Sequence, residues 1–328
     1  MTSSNPTRGS LSGRRVLVTG GAGFIGSHVC DRIAAEHPAE LVVIDNLFLG
    51  RESNLDAARA ACQRLTFYKQ SVADDGRLRE IFKKHRPDVV FNLSVIPLPK
   101  SLESPGWASD ENWRMTLNLC ECWREGIFGT LVHFSTSEVY GTALSVPMSE
   151  AHPLMPRTPY AASKAATDHL VFSYMTTFDL DLVTLRPFNN YGPRQNKGTY
   201  AGLVPLVIER IVKDEVIEIQ GDGLQTRDFI YVEDTAEATV LAYQHVNASG
   251  KTFNLSSGRE TSVKTIVDKL VAITESKVRI RHTEDRPGDV RRHCGDSSFA
   301  RETFGFTPRI DLDRGLINTV NWYRTQHG

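Results

Sequence analysis

Three groups of side chains in the 328-residue sequence have the types and spacing of a proton- and hydride-transfer site. The first is in FSTSEVYG, residues 134–141, where Thr136, Ser137 and Glu138 follow an apolar run. Two hydroxyls and a carboxylate fit there if the strand end faces a wet cleft. Seen alone, such a Glu is as readily a surface residue. On an extended strand Thr136 and Glu138, two apart, would share a face. The second group is Tyr160 and Lys164 in TPYAASKAA, four apart and so on one side of a helix. A free phenol, with a pKa of about 10, is a poor base at neutral pH. A neighbouring ammonium favours the phenolate. The pair can then take a proton from an alcohol while hydride leaves the same carbon. Tyr-x-x-x-Lys alone is usually a solvated helix face, so it needs a hydride acceptor beside it.

The third group supplies a cradle for that acceptor. TGGAGFIGS, residues 19–27, carries Gly-x-Gly-x-x-Gly at Gly21, Gly23 and Gly26. It follows an apolar strand and opens a helix. Glycines let the backbone approach a pyrophosphate, and the helix N-terminus offers N–H groups and a partial positive charge. Asp45 ends the next strand about 20 residues on, where an acid suits a ribose diol and repels a 2′-phosphate. NAD is therefore expected rather than NADP.

These residues need elements to hold them. Strands are expected at 14–20, 40–46, 65–70, 87–93, 130–135 and 180–188, the first two of them buried. Helices are expected at 24–37, 75–85, 107–125 and 158–178, the last with Pro159 at its start, where a missing N–H is harmless. Strands alternating with helices give an α/β fold, a Rossmann-type doubly wound parallel sheet. After about residue 190 the pattern changes: NNYGPRQNKGTYAG reads as loop. Shorter elements follow, helices at 203–213, 233–246 and 262–274 and strands at 216–219, 228–231 and 252–256. The expected organisation is a flexible tail over 1–12, an NAD-binding domain over 13–190 and a smaller, mostly substrate-binding α/β lobe over 191–328. The chain is free to cross back to the sheet.

Composition narrows the classes of partner. The chain is 40% hydrophobic and 23% charged, an ordinary globular balance. A net charge of −1 gives no electrostatic footprint for nucleic acid or a membrane surface. No run of eighteen apolar residues predicts a membrane span. The polar start MTSSNPTRGSLSG lacks the apolar region of a signal peptide. The cysteines, Cys30, Cys62, Cys120, Cys122 and Cys294, are odd in number and form neither a disulfide framework nor a zinc pattern. Reduced thiols in the cytoplasm, and no metal, are expected.

The chain resembles the extended short-chain dehydrogenases/reductases that modify nucleotide sugars. The likeness spans nearly its whole length: TGGAGFIGS, IDN at 44–46, STSEVYG, YAASK, RPFNNYGPRQ, GDGLQTRDFIYVEDTA at 221–236 and RPGDVRR at 286–292, in that order. The resemblance implies Tyr160 as base, Lys164 as its electrostatic partner and nicotinamide-ribose ligand, and Thr136 as the hydroxyl bonded to the reacting sugar oxygen. It implies NAD contacts from Gly20, Gly23, Phe24, Ile25, Gly26, Asp45, Asn46, Ser71, Val72, Leu93, Tyr160 and Lys164. On the side of the nucleotide-diphosphate sugar it implies Lys100, Asn189, Arg194, Arg227 and Arg286, since Arg forms bidentate bonds to a diphosphate. Two stretches depart from the family pattern. Ser71 and Val72 stand where an Asp usually meets the adenine, and Asn92-Leu93-Ser94-Val95 replaces His-Leu-Ala-Ala. Non-catalytic relatives typically lose the Tyr or the Lys; this chain keeps both.

Glu138 separates the reactions of the family. Simple 4-epimerases carry small or neutral residues after the catalytic hydroxyl, because oxidation at C4, rotation and reduction need no carboxylate. In 4,6-dehydratases the matching Glu removes the C5 proton and the C6 hydroxyl leaves as water. Many of these enzymes have an Asp as acid where this chain has Ser137. Thr-Ser-Glu is also similar to UDP-glucuronate decarboxylases, but those usually carry charged residues where this chain has Ala161, Ala162 and Ser163. The expected activity is an NDP-hexose 4,6-dehydratase, with the decarboxylase and the 4-epimerase as alternatives. Relatives pair two helices in a two-fold dimer. The apolar Trp113, Met115, Leu117 and Leu119 on one helix, and Leu170, Phe172, Tyr174 and Met175 on the other, predict the same here.

Overall fold

The computed structural model describes residues 8–284 and 291–325. Its strands are β1 (Arg15–Thr19), β2 (Glu40–Asp45), β3 (Leu65–Lys69), β4 (Val89–Asn92), β5 (Thr130–Phe134), β6 (Asp181–Pro187), β7 (Asn189–Tyr191), β8 (Ile217–Gln220), β9 (Thr226–Tyr231), β10 (Lys251–Leu255), β11 (Glu260–Ser262) and β12 (Ile280–Thr283). The helices are α1 (Phe24–Ala34), α2 (Asp56–Ala61), α3 (Asp75–His85), α4 (Leu98–Glu103), α5 (Pro105–Arg124), α6 (Pro159–Phe178), α7 (Leu203–Val212), α8 (Val232–Gln244), α9 (Val263–Thr274), α10 (Ser298–Phe304) and α11 (Leu312–Thr325).

Seven strands form one sheet in the order β10-β6-β5-β4-β1-β2-β3, and every pairing in it is parallel. All six residues of β2 are buried, as a strand covered on both faces requires. The two-residue period sends Val16 and Val18 into one core, with Val29 and Ile33 of α1 and Ala238 and Ala242 of α8. Leu17 points into the other, with Phe82 of α3, Leu119 of α5 and Val171 of α6. Strand order reverses between β1 and β4, which opens a crevice at the carboxyl ends of the strands, where such sheets bind ligands.

The chain after residue 190 serves both layers. β10 extends the main sheet, and α8 packs on α1. α10 packs against β10, with Ala300 and Phe304 in the core of the main sheet, and most of the rest forms a separate lobe around a third core that includes Ile217, Phe229, Ile266, Leu270 and Leu316. Its sheets are β11-β9-β7 and β12-β8. The expected flexible tail needs correction over its last residues. Leu11 is fully buried, and Arg8 bonds to Asp181 and to the Tyr243 carbonyl, so residues 8–12 are docked on the body.

Candidate active site

The phosphate turn is built by close backbone approach. A Cβ on Gly26 would lie 2.1 Å from the Gly20 carbonyl oxygen, and one on Gly20 would lie 2.7 Å from the Leu93 carbonyl. Gly20 also has φ +68°, which L side chains rarely adopt. No side chain caps the N-terminus of α1, which leaves its N–H groups to an anion. Asp45 closes β2 with Oδ2 accepting from Ala22 N at 3.0 Å and Oδ1 from Leu47 N at 2.8 Å. Burial raises its pKa against those bonds, and each oxygen keeps acceptor capacity for a diol.

Turn and strand ends enclose a cleft of about 330 Å³. Gly20, Gly23, Phe24, Ile25 and Gly26 form one wall, with Asp45, Asn46, Ser71 and Val72 beside them. Leu93, Thr136, Tyr160 and Lys164 line the cleft from the β4, β5 and α6 side. A dinucleotide fits these residues: a glycine cradle for its phosphates, a buried acid beyond, and a hydroxyl–phenol–ammonium set at the other end.

Helix α6 is set in place by Thr158, whose hydroxyl accepts from Ala161 N at 3.1 Å, followed by Pro159. That fixes Tyr160 in the first turn, where it is hydrogen-bonded to Thr136. Burial pushes the Tyr160 phenol up to about 12; the Thr136 bond opposes this, while the charges of Glu138 and Asp168 add to it. Lys164 lines the same cleft as Tyr160, and its Nζ donates to the Phe134 carbonyl at 2.5 Å. Burial lowers Lys164 to about 8, opposed by Asp168.

The Thr136–Glu138 segment differs from the sequence expectation. β5 ends at Phe134, and Ser137–Tyr140 is a short 3-10 turn, so the two residues do not share a strand face. They are coupled instead by the turn's cap, Thr136 Oγ1 accepting from Glu138 N at 3.2 Å. Glu138 is half-buried and its charge reaches Tyr160. Ser137 is buried, and its carbonyl accepts from His293 Nε2 at 3.3 Å.

The residues expected on the substrate side separate. Asn189 and Arg227 line a second hollow of about 430 Å³ in the C-terminal lobe. Asn190 and Gln195, which the sequence reading did not single out, line both this hollow and the main cleft. Asn189 Oδ1, Asn190 Oδ1 and Gln195 Oε1 are buried without hydrogen-bond partners. Their place in RPFNNYGPRQ was the signal available. Arg194 turns the other way: its guanidinium pairs with Asp31 at 2.5 Å and donates to the Asn54 carbonyl. Lys100 lines neither hollow and pairs with Glu103 on α4. Arg286 lies outside the described residues. Among the described residues no three His, Cys, Asp or Glu side chains are grouped to hold a metal, no helix is long and apolar enough to cross a membrane, and all five cysteines are buried and free.

The family model described as GDP-mannose 4,6 dehydratase matches residues 17–319. The chain belongs to this family. It is thus an extended short-chain dehydrogenase/reductase of the nucleotide-sugar dehydratase/epimerase type, and its relatives are enzymes. One relative of this GDP-mannose 4,6 dehydratase-type chain is the UDP-glucose 4-epimerase of Mycolicibacterium smegmatis, 34% identical over 95% of this chain and 99% of that protein. The UDP-glucose 4-epimerase of Thermotoga maritima, solved with UDP-glucose, superposes with a TM-score of 0.90 at 33% identity, over 95% of this chain and 99% of that one. The dTDP-glucose 4,6-dehydratase DesIV of Streptomyces venezuelae, solved with NAD, gives 0.86 at 31% identity, over 96% and 98%. Dehydratases and epimerases of the family therefore stand at like distances from this chain.

Proposed function

We propose that the chain is an NAD-dependent NDP-hexose 4,6-dehydratase acting through a transient 4-keto sugar. The observation that carries this is the placement of Glu138. The Thr136-capped turn sets its carboxylate near enough to Tyr160 to act on that phenol. Gly20, Gly23, Phe24, Ile25 and Gly26 would hold the NAD pyrophosphate, Asp45 and Asn46 the adenosine ribose, Ser71 and Val72 the adenine, and Leu93, Tyr160 and Lys164 the nicotinamide riboside. When bound, NAD supplies a hydride acceptor, a positive ring that favours the Tyr160 phenolate, and later the same hydride back. Asn189 and Arg227 are the proposed substrate contacts in the second hollow.

Tyr160 takes the proton of the C4 hydroxyl, with Thr136 holding the same oxygen. The new ketone acidifies the C5 proton, and Glu138 removes it. The C6 hydroxyl then leaves as water. Ser137 is a weak acid, so the proton for that water comes from Glu138 itself or through a water molecule. Solvent exchange tests this directly. A dehydratase run in deuterated water places deuterium at C5 of the product, and Glu138→Gln suppresses it. A product without deuterium at C5 overturns the reading.

The second reading is an NDP-sugar 4-epimerase. It is favoured by Ser137 in the acid's position and by epimerases among the relatives. UDP-glucuronate decarboxylation would use the same oxidation at C4. A cytoplasmic, reducing setting suits five unpaired thiols. A homodimer through α5 and α6 is proposed on narrower grounds than the sequence suggested. Met115 and Leu119 are buried in the core, while Trp113, Phe172 and Phe178 are exposed on these two mutually packed helices. Sedimentation as a monomer at micromolar concentration would sink it.

A further inference from the structure

The chemistry above leaves a buried carboxylate beside the cleft without a task. Asp168 lies one turn beyond Lys164 on α6 and is 6% exposed. Its Oδ2 accepts from Ser135 Oγ at 2.8 Å and from Arg186 Nε and Nη2 at 3.1 and 3.0 Å. Its Oδ1 is buried without a hydrogen-bond partner and faces His133 Nε2 at 3.6 Å. Arg186 Nη1 donates to the Tyr140 hydroxyl, which donates to Asn254. On the other side Thr19 donates to Asn92 Oδ1, and Asn92 Nδ2 meets His133 Nδ1 at 3.2 Å. A polar layer thus crosses β1, β4, β5, β6 and β10, and Ser135 and Lys164 reach from it into the cleft.

The charges in this layer are unequal. Lys164 and Arg186 are buried cations, and Asp168 is the one carboxylate acting on Lys164 among the described residues. His133 adds no charge at neutral pH, because burial and the nearby Lys164 hold its pKa at about 4. Asn92 donating to Nδ1 leaves the ring proton on Nε2, directed at Asp168. A buried ion without compensation costs several kcal/mol, and an amine relieves that by losing its proton. The groups facing Lys164 and Asp168 are therefore His133 from β5, Arg186 from β6, Tyr140 from the 137–140 turn, and Tyr160 on α6 itself.

We propose that Asp168 is a positioning residue of the reaction, which keeps Lys164 in its charged form and fixes Ser135 at the cleft wall. This rests on the assignment of Tyr160 and Lys164, and holds whichever step follows oxidation at C4. Without the carboxylate the amine deprotonates at lower pH, and the support it gives to substrate oxidation is lost there.

The test follows the titration of the Lys164 amine by nitrogen NMR of lysine-labelled, NAD-loaded protein, alongside the pH dependence of C4 oxidation. Asp168→Asn keeps the shape and removes the charge; the Lys164 titration and the alkaline limb of the rate both move down by about one unit or more. Arg186→Gln leaves Lys164 as the one cation beside Asp168, and both move up. Circular dichroism establishes that each variant is folded, and if Asp168→Asn fails to fold, the direction of the Arg186→Gln shift decides. Rates lowered evenly at every pH with an unmoved Lys164 titration overturn the proposal and leave Asp168 a structural ion. If the unaltered enzyme oxidises no nucleotide sugar, the functional reading fails, while the NMR titration still decides the role of Asp168.

Discussion

At the residue scale, the two proton transfers proposed for Glu138 and Tyr160 belong to one turn and one helix start. Tyr160, pushed up to about 12, is protonated in the protein alone, so the base role proposed for it would depend on the positive ring that NAD would place beside it. Tyr160→Phe should therefore slow both cofactor reduction and product formation by about 10²- to 10⁴-fold, the usual worth of a positioned acid–base group. Glu138→Gln should behave differently. Oxidation at C4 survives, elimination falls by a like factor, and reduced cofactor accumulates in a single turnover. Absorbance of the reduced cofactor, followed by stopped flow, separates the two variants. Equal loss of cofactor reduction in both would place Glu138 in the first step and not the second.

At the element scale, precision comes from caps and close approaches. Thr158 caps the helix that bears Tyr160 and Lys164, and Thr158→Ala should lower stability by about 1 kcal/mol, read from a urea midpoint. Gly26→Ala drives a Cβ onto the Gly20 carbonyl, so it should purify without bound NAD where the parent chain retains it. These features were legible in the sequence because they are local: a glycine spacing, a Thr-Pro start, a pair four residues apart. The buried strands of the main sheet were legible for the same reason, as short apolar runs between turns. What the sequence left illegible is set by distant partners: Lys164 Nζ donates to the Phe134 carbonyl thirty residues earlier, and Arg194 pairs with Asp31, 163 residues away. The 137–140 turn follows from a strand that stops at Phe134, which apolar pattern alone did not mark. The three-residue strands β7 and β11 exist through pairing with β9, beyond the reach of any window.

At the scale of the whole molecule, function and stability meet in buried neutral groups. His28, His133 and His293 have pKa values lowered from 6.5 to about 4, with desolvation the largest cause in each. The unfolded chain binds these protons below about pH 6.5, while the folded chain refuses them until about pH 4. The stability that the neutral rings support is thus present above 6.5 and lost as pH falls through that window. Each ring should cost about 2 kcal/mol between pH 7 and pH 5, seen as a drop in urea midpoint, and an unchanged midpoint would contradict their neutral burial. The β5–α6 side of the cleft ends in Thr136, Tyr160 and Lys164, beside the turn that carries Glu138. The most direct measurement is mass spectrometry of the purified protein after incubation with glucose, N-acetylglucosamine, mannose and glucuronate nucleotide sugars and no added reductant. Loss of one water from one of them is the predicted result. An unchanged mass with an inverted C4 centre by NMR, or loss of carbon dioxide from the glucuronate form, would contradict it.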